Sequence, residues 1–322
     1  MGVAILALAI LAGRLGSQNQ LENFAPAVMV GVGWPLLLVA SAILGPVWRW
    51  LDPWDGMARP VASLGKPGGD VRWAVLPALG WAWFLGAFPR SLDPGVVGLV
   101  LGAYSIVTLA GCLALGRRTW LARAEPFGMV FGWLAMLPRR LLSAWTPPRG
   151  AEVVLGVLAG GLVFGAIRLS SLWGELNTAP AALLYATVGV VVSGAAFAAL
   201  LWAASRRAEG IGAQGGVVAS AVPAIGGLAV SLALSRNRLF TSIQLLPGLL
   251  LDPFGRSEEP LSVNPSPLGE TGLVVAQTVV LLAGCLAGAI VLARRAEPGR
   301  RAPGMAALCA VAAGGIVSLT AT

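Results

Sequence analysis

The sequence predicts an all-α integral membrane protein, a polytopic bundle of about eight or nine transmembrane helices with amphipathic helices along the membrane interface. Apolar residues make up 57% of the 322 residues and charged residues only 11%, whereas soluble domains carry about 25% charged residues. The apolar runs are continuous rather than alternating, which favours helices over a β-barrel. They recur along the whole chain without a polar block long enough to fold alone, so we expect a single membrane domain over residues 1–322.

Nine apolar stretches are candidates for the membrane-crossing helices. A helix needs about 20 apolar residues to cross the hydrocarbon core of a bilayer. Eight stretches meet or approach this length, whereas the first is shorter and either spans the bilayer or rests in its interface. The predicted spans are residues 1–15, 25–48, 73–88, 95–116, 152–172, 179–204, 214–235, 271–293 and 304–321.

Glycines and prolines within these runs indicate how the helices pack and bend. Two glycines four positions apart lie on one face of a helix and allow a second helix to approach closely. Prolines within the runs, at Pro35, Pro77 and Pro223, are expected to kink their helices. The glycine pairs with this spacing are Gly98/Gly102, Gly156/Gly160, Gly161/Gly165 and Gly284/Gly288.

The basic residues predict the orientation of the bundle. With the N-terminus inside, sixteen of the 22 Lys and Arg fall in cytoplasmic gaps and five in the opposite gaps, while Arg168 lies near a helix end. Cytoplasmic loops carry the excess of basic residues in membrane proteins, so we expect a cytoplasmic N-terminus. The net charge of +8 does not indicate nucleic acid, because the basic residues form no stripe with interleaved aromatics. The expected partner is the lipid bilayer.

Two segments on the cytoplasmic side, 52–66 and 119–146, are predicted to lie along the inner interface. Each carries an acidic residue, a proline and an aromatic residue in succession, in Asp52-Pro53-Trp54 and Glu125-Pro126-Phe127. An acidic N-cap followed by proline at the first helical position favours the start of a helix. The tryptophans suited to the headgroup level are Trp48, Trp50, Trp54, Trp120, Trp133 and Trp145.

A third segment, 239–255, lies in the long gap on the outer side. Its apolar part, Leu239–Leu251, has only about 13 residues, which favours a re-entrant or interfacial helix over a span. It ends in a third tripeptide of the same kind, Asp252-Pro253-Phe254. Such a long connection could be a lid, a pore-lining segment, a docking surface or a solvated loop.

The chain contains no histidine. Haem held through histidine, histidine-based zinc sites and Ser-His-Asp or Cys-His nucleophiles all need that side chain. A Walker-type phosphate loop and a dinucleotide-binding fingerprint are also missing, and the three cysteines lie inside apolar runs without paired spacing. We therefore expect no cofactor, no metal and no catalytic residue of these classes.

Five polar residues are candidate contacts for a solute or a partner. Arg168 is the nearest to an intramembrane charge, and Glu175 would share its helix face if the helix continued; the alternative is a snorkelling arginine or a structural ion pair. Gln277 lies within a predicted span, whereas Gln244 and Asp252 lie in the long outer gap.

Several short stretches resemble one family of polytopic prokaryotic membrane proteins. These stretches include Asn23-Phe24-Ala25-Pro26, Gly45-Pro46-Val47-Trp48-Arg49, Asp52-Pro53-Trp54 and Asp252-Pro253-Phe254-Gly255. Members of the family often carry the label fenitrothion hydrolase, although its activity is unproven. The resemblance implies a multi-helix fold in the plasma membrane of a prokaryote. Members carry a histidine near the outer end of the helix that here ends at Ser235-Arg236, so chemistry that needs it is not expected in this chain.

Three functions follow as hypotheses. The first is a non-catalytic membrane subunit or scaffold that docks other membrane or peripheral subunits through the interfacial segments. The second is a transporter or channel for a small solute, in which 239–255 lines the pathway and Arg168 or Gln277 contacts the solute. The third is a membrane-embedded hydrolase that uses Asp52, Asp55 or Asp252, for which the sequence offers no base of suitable pKa.

The first two hypotheses differ in what they require of the bundle interior. An embedded polar cavity that reaches Arg168, Tyr185 and Gln277 together would favour a transporter. A bundle packed solid with apolar side chains would favour a scaffold.

Overall fold

A computed structural model of the chain describes residues 1–60, 71–235, 238–257, 262–264 and 266–319. Within these residues the chain forms fifteen α-helices and no β-strand, which confirms the all-α fold class. Residues 61–66 of the first interfacial segment and residues 320–321 of the last predicted span lie outside the described residues. The helices are α1 (Gly2–Leu15), α2 (Phe24–Leu44), α3 (Trp48–Leu51), α4 (Pro53–Ala58), α5 (Val75–Gly86), α6 (Pro94–Leu115), α7 (Arg117–Arg123), α8 (Pro126–Leu134), α9 (Ala151–Leu169), α10 (Gly174–Thr178), α11 (Ala182–Arg207), α12 (Ile211–Leu234), α13 (Arg238–Leu251), α14 (Gly269–Arg295) and α15 (Ala302–Leu319).

Six of the described helices are long and apolar enough to cross a membrane: α2, α6, α9, α11, α12 and α14. Helices α1, α5, α13 and α15 are apolar but shorter. By helix length and hydropathy, these six candidate spans support the prediction of a multi-pass membrane protein. The other three predicted spans, 1–15, 73–88 and 304–321, coincide with three of the shorter helices, α1, α5 and α15.

The connections between helices gather at two ends of the bundle. At one end, called here the basic end, Arg117 donates to the Asp55 carboxylate over 2.8 Å and Arg295 donates to the Leu142 carbonyl over 3.0 Å. Two of the connecting helices, α4 and α8, lie close to this end. Its arginines among the described residues are Arg49, Arg59, Arg117, Arg118, Arg123, Arg139, Arg140, Arg149, Arg206, Arg207, Arg294, Arg295, Arg300 and Arg301.

The other end, called the distal end, is held together by hydrogen bonds between its loops. The amide Nδ2 of Asn23 donates to the Ala12 carbonyl over 2.8 Å, and the backbone N–H of Ser17 donates to the Phe254 carbonyl over 2.7 Å. The gaps that are rich in Lys and Arg in the sequence lie at the basic end, and the gaps that are poor in them lie at the distal end. The arginines of the described residues at the distal end are Arg14, Arg90, Arg168, Arg238 and Arg256.

Helix α12 is the centre of the bundle. In the most apolar 18 residues of α12, 78% are buried. The corresponding shares for α11 and α14 are 17% and 22%, so these two helices leave broad apolar faces for lipid. Glycine permits the closest helix contacts: a Cβ at Gly227 of α12 would lie 2.9 Å from Gly284 Cα of α14. Helices with small residues at their interface approach closely enough for backbone-to-backbone packing.

Helix α2 is irregular next to the centre of the bundle. Residues Ala27–Gly33 form a π-helical segment, and α-helical geometry resumes at Trp34. Pro35 has no N–H to donate to the Gly31 carbonyl four residues earlier, and its ring crowds that carbonyl. The widened turns precede the proline, as expected if they relieve this conflict.

Helices α4 and α8 pack inside the protein rather than along its surface. Trp54 of α4 and Trp133 of α8, two of the tryptophans suited to the headgroup level, are buried against other residues of the protein, whereas Trp50 is 73% exposed. The reason is visible in the sequence of α8, which carries no charged residue. A helix that is apolar on all sides has no face for water and is buried.

Candidate ligand-binding cavity

A cavity of about 780 Å³ lies between helices α2, α5, α8, α9 and α12. Cavities that hold drug-sized ligands range from about 300 to 1,000 Å³. On α9 the lining residues run from Leu155 to Leu169, which at 1.5 Å per residue is a length of about 20 Å. The cavity therefore extends from the distal end through more than half of the bundle.

Aromatic side chains form the floor of the cavity. Phe127, near the start of α8, is the common contact: its ring centroid lies 4.2 Å from that of Trp34 on α2 and 5.1 Å from that of Trp81 on α5. Behind the floor, the ring of Trp54 stacks on Phe127 at 5.7 Å. Offset and edge-to-face aromatic pairs at such distances add stability beyond the burial of area. The floor separates the cavity from the basic end.

A buried carboxyl group supports this floor from behind. Glu125 is 1% exposed and caps α8: it accepts hydrogen bonds from the N–H groups of Phe127 at 3.0 Å and Gly128 at 2.6 Å, and from the Tyr104 hydroxyl at 2.7 Å. Burial raises the pKa of Glu125 from 4.5 to about 7, although these three donors favour its ionised form. The cap thus contains a group that titrates near neutral pH.

The mouth of the cavity, at the distal end, is polar. Arg168 lies there, half-buried, and donates from Nη1 to the Gly86 carbonyl at 2.8 Å and from Nε to Asn177 Oδ1 at 3.2 Å. Further polar residues at the mouth are Gln20, Ser91, Ser170, Ser171 and Arg238. No Asp or Glu of the described residues lines the cavity, and no described carboxylate forms a salt bridge with Arg168. The electrostatic character of the mouth is therefore positive.

An indole N–H in the cavity wall lacks a protein partner. Trp81 lines the cavity and is buried, and no acceptor within the described part of the chain hydrogen-bonds to its Nε1. Buried polar groups without partners are rare in native proteins. This donor can serve a bound solute or a water molecule.

Of the five candidate contacts predicted from the sequence, only Arg168 lines the cavity. Glu175 was expected on the same helix face if that helix continued, but α9 ends at Leu169, and the chain turns into α10, where Glu175 is exposed. The partner of Arg168 is instead Asn177, whose Nδ2 in turn donates to the Arg168 carbonyl at 3.2 Å.

Gln277 does not reach the cavity. It is fully buried in α14, where its Nε2 donates to the Ser231 carbonyl at 3.2 Å and to the Ser235 hydroxyl at 2.8 Å. Tyr185 is 42% exposed on α11. The structure therefore does not bring Arg168, Tyr185 and Gln277 together in one cavity.

Segment 239–255 is built around α13, which packs on the π-helical part of α2. A Cβ at Gly31 of α2 would lie only 2.0 Å from Ser242 Oγ of α13, so only glycine fits there without a shift of the neighbouring side chain. Gln244 joins α13 to the following loop through hydrogen bonds with Asn264, at 3.1 Å to the carbonyl and 2.9 Å from the N–H. Apart from Arg238 at its start, α13 contributes no residue to the cavity wall, so it does not line the pathway as the transporter hypothesis expected.

The aspartates considered for hydrolysis have structural partners. Asp52 Oδ1 caps α4 by accepting from Trp54 N at 2.9 Å and Asp55 N at 3.0 Å, and burial raises the pKa of Asp52. Asp55 binds Arg117. Asp252, at the distal end, accepts from Ser257 Oγ at 2.7 Å, and this bond and the backbone N–H of Ser257 lower its pKa.

No family model, curated protein or solved structure matches the chain. The geometry of the described residues therefore carries the functional argument. Sequence reasoning missed the cavity and its floor, although one signal was present: Trp34-Pro35 places a large aromatic residue at a helix irregularity inside an apolar run.

Proposed function

We propose that the protein is a multi-pass transporter or carrier that binds a small solute in the cavity beneath the distal end. The main support for this function is the cavity itself, which has a volume of about 780 Å³ and is polar at one end. A bundle that served only as a scaffold has no need of such a space. Of the two leading hypotheses from the sequence, the cavity therefore favours the transporter over the scaffold. Arg168 is the predicted solute contact that also lines the cavity.

The π-helical segment of α2 and a proline within α12, both next to the cavity, support a transport role. The π-helical segment of α2 contributes Val30 to the wall, and α12 contributes Val222 directly before Pro223, the proline inside that helix. Interrupted helices often mark the binding sites of secondary transporters, and π-helical turns recur at functional sites. The aromatic floor then closes the cavity toward the basic end, so the described conformation is open to one side.

We further propose that nine helices cross the membrane, with the basic end in the cytoplasm of a prokaryotic cell and the cavity opening outward. Helices α1, α5 and α15 run between the same two ends as the six long helices. Helix α1, with 14 residues, is about 21 Å long, and a helix shorter than the bilayer core is accommodated by local thinning. The excess of arginine at the basic end supports this orientation.

The test asks whether the protein retains a small molecule in the cavity. Gly165 lines the cavity, and a Cβ there would meet only Leu232 Cδ2 at 3.6 Å, so Gly165→Phe places a ring in the cavity without a backbone clash. Gly80→Phe is the matched control, because Gly80 is exposed on α5 with nothing within 4 Å of its Cβ position. The three proteins are extracted in mild detergent and analysed by native mass spectrometry.

We expect the wild type and Gly80→Phe to retain the same bound molecule and Gly165→Phe to lose it. The molecule then serves as the solute in flux assays with proteoliposomes. Equal retention by all three proteins would contradict a cavity site. A protein that co-purifies in a fixed ratio, without any bound small molecule, would instead support the scaffold hypothesis.

A further inference from the structure

We infer that the cavity takes a single-chain amphiphile with a carboxylate head, held with its head at Arg168 and its chain over the aromatic floor. This inference rests on the proposed function and names the chemical class of the solute. It depends on four features of the described residues: the charge of the mouth, the free donors of Arg168, the apolar depth and the length of the space.

The charge of the mouth selects an anion. Arg168 lines the cavity without a carboxylate partner among the described residues, and no carboxylate of these residues lines the cavity. The nearby acidic residue Asp93 already forms an ion pair with Arg90 outside the cavity. An anionic head group at the mouth therefore meets attraction without a competing negative charge from the wall.

Arg168 is held in place with hydrogen-bonding capacity to spare. A guanidinium group has five N–H donors, and among the described residues Arg168 uses one on Nε and one on Nη1. Its bonds to Asn177 and Gly86 fix the plane of the group, so little conformational entropy is lost when a carboxylate binds. A planar guanidinium matches the two oxygens of a carboxylate.

The apolar interior of the cavity favours a ligand with a hydrocarbon chain. Below the mouth the wall is formed by side chains such as Leu158, Leu162, Val130 and Ile225, and the floor by Trp34 and Phe127. The volume of about 780 Å³ is spread over a length of about 20 Å beside α9, so the mean cross-section is about 40 Å². Its volume suits a drug-sized ligand, and a two-chain lipid would need a wider space. One extended chain fits both constraints.

The head group must decide the selectivity. A hydrocarbon chain gains little when it moves from the bilayer to an apolar cavity, because lipid tails are as apolar as the side chains. The charge-assisted bonds of Arg168 are the interactions that the bilayer does not offer. We therefore expect the acid to bind far better than a neutral molecule with the same chain.

The experiment uses dibromostearate, whose bromine atoms quench tryptophan fluorescence on contact. Three of the twelve tryptophans line the cavity, namely Trp34, Trp81 and Trp133. The full chain is placed in lipid nanodiscs and titrated with dibromostearate, with the corresponding neutral dibromo alcohol and with inorganic phosphate as a competitor. Saturable quenching reports the cavity, whereas quenching that rises linearly reports partition into lipid.

Four variants separate the role of the charge from the role of the fold. Arg168→Gln removes the charge, and Arg256→Gln is the matched control at the same end, with an exposed arginine outside the cavity. Asn177→Ala loosens the tie to Arg168 but keeps the charge. Gly165→Phe fills the cavity. If Arg168→Gln fails to fold, Arg168→Lys replaces it, retaining the charge but losing the paired geometry.

We expect saturable quenching by the acid and at least tenfold weaker binding of the alcohol. Arg168→Gln should weaken binding of the acid by a similar factor, or Arg168→Lys by a smaller one. Asn177→Ala should weaken it by less than Arg168→Gln, because the charge remains while the bond that orients it is lost. Arg256→Gln should bind the acid within about threefold of the wild type. Gly165→Phe should abolish saturable quenching by either compound.

Two outcomes overturn the inference and leave the proposed function standing. One is equal binding of acid and alcohol that Gly165→Phe abolishes and Arg168→Gln leaves unchanged. The other is displacement of the probe by inorganic phosphate, which would show that the mouth takes free anions. Saturable quenching that Gly165→Phe does not change would place the site elsewhere and remove both proposals.

Discussion

Glu125 is the residue whose surroundings depart most from those of an ordinary surface carboxyl group. It is buried beneath the cavity floor, where one side chain joins the start of α8 to Tyr104 of α6. Burial disfavours the ionised form of this carboxyl group more than its three hydrogen-bond donors favour it. Its raised pKa therefore ties the stability of the floor to pH.

The first prediction concerns the pH dependence of stability. The pKa of Glu125 is about 7 in the folded protein against 4.5 in an unfolded chain, so the folded state holds the proton more tightly. Stability is then greatest below about pH 4.5 and falls as the pH rises toward 7, by on the order of 3 kcal/mol at most. Thermal unfolding in detergent between pH 4.5 and 8 should show this decline in the wild type and a flatter profile in Glu125→Gln.

A residual slope in Glu125→Gln is expected from Asp52, whose pKa is also raised by burial. Glu175→Gln, at an exposed residue of the distal end, is the control and should keep the wild-type profile. The same slope in Glu125→Gln as in the wild type would show that Glu125 does not titrate in this range.

The second prediction concerns Asn23, a fully buried residue at the distal end. Its Nδ2 donates to the carbonyls of Ala12 and Ser17, both at 2.8 Å, and its Oδ1 accepts from Ala25 N at 2.9 Å, which caps α2. Asn23→Ala removes all three bonds and takes the partner from the Ser17 carbonyl and the Ala25 N–H, whereas the Ala12 carbonyl still accepts from Gly16 N. The change should destabilise the protein by about 2–4 kcal/mol. Asn19→Ala, at an exposed residue of the same loop, should cost far less; equal melting temperatures of the two variants would contradict the argument.

At the scale of the helices, the sequence predicted most of what the structure shows. Continuous apolar runs identify the six long helices because a bilayer demands about 20 such residues in a row. The proline tripeptides predicted the starts of α4 and α8, since capping depends on neighbours in sequence. Burial of α8 was not predicted, because the residues that cover it come from α2, α5 and α6.

Glycine spacing shows the same limit. Both members of Gly156/Gly160 lie against α11, and both members of Gly284/Gly288 lie against α12. In contrast, nothing lies within 4 Å of a Cβ at Gly102. Spacing tells which residues share a face, whereas only tertiary packing tells which faces meet.

The third prediction tests the contact between α9 and α11. A Cβ at Gly160 would lie 2.2 Å from Ser193 O, a backbone atom that cannot move without the whole helix. Gly160→Ala should therefore destabilise the protein by about 1–3 kcal/mol. Gly165→Ala, on the same helix, has room for its methyl group and should be neutral or slightly stabilising, since alanine favours helix over glycine. Similar melting temperatures for both variants would show that α9 and α11 are not in close contact.

At the scale of the whole molecule, the cavity could not have been predicted from the sequence. Its wall combines residues from α2, α5, α8, α9 and α12, which are separated by up to about 200 positions in the chain. Arg168 could be recognised as an unusual intramembrane charge, but the same sequence reasoning also named Glu175, from helical periodicity, and Gln277, from its polarity within a span. Neither lines the cavity, because these two signals contain no information about neighbouring helices. The basic residues, by contrast, act collectively, and they predict the orientation.

The last prediction tests that orientation, on which the direction of the cavity depends. Cys112, Cys285 and Cys309 are first replaced, and single cysteines are then introduced at exposed residues of the two ends, as Glu175→Cys at the distal end and Arg139→Cys at the basic end. An impermeant maleimide should label Glu175→Cys in intact cells and Arg139→Cys only after permeabilisation, because the arginine-rich end of a membrane protein usually stays in the cytoplasm. The reverse pattern would make the cavity open to the cytoplasm, and the carrier would then load its solute from inside. A tag on the N-terminus, accessible only after permeabilisation, would show in the same cells that α1 crosses the membrane.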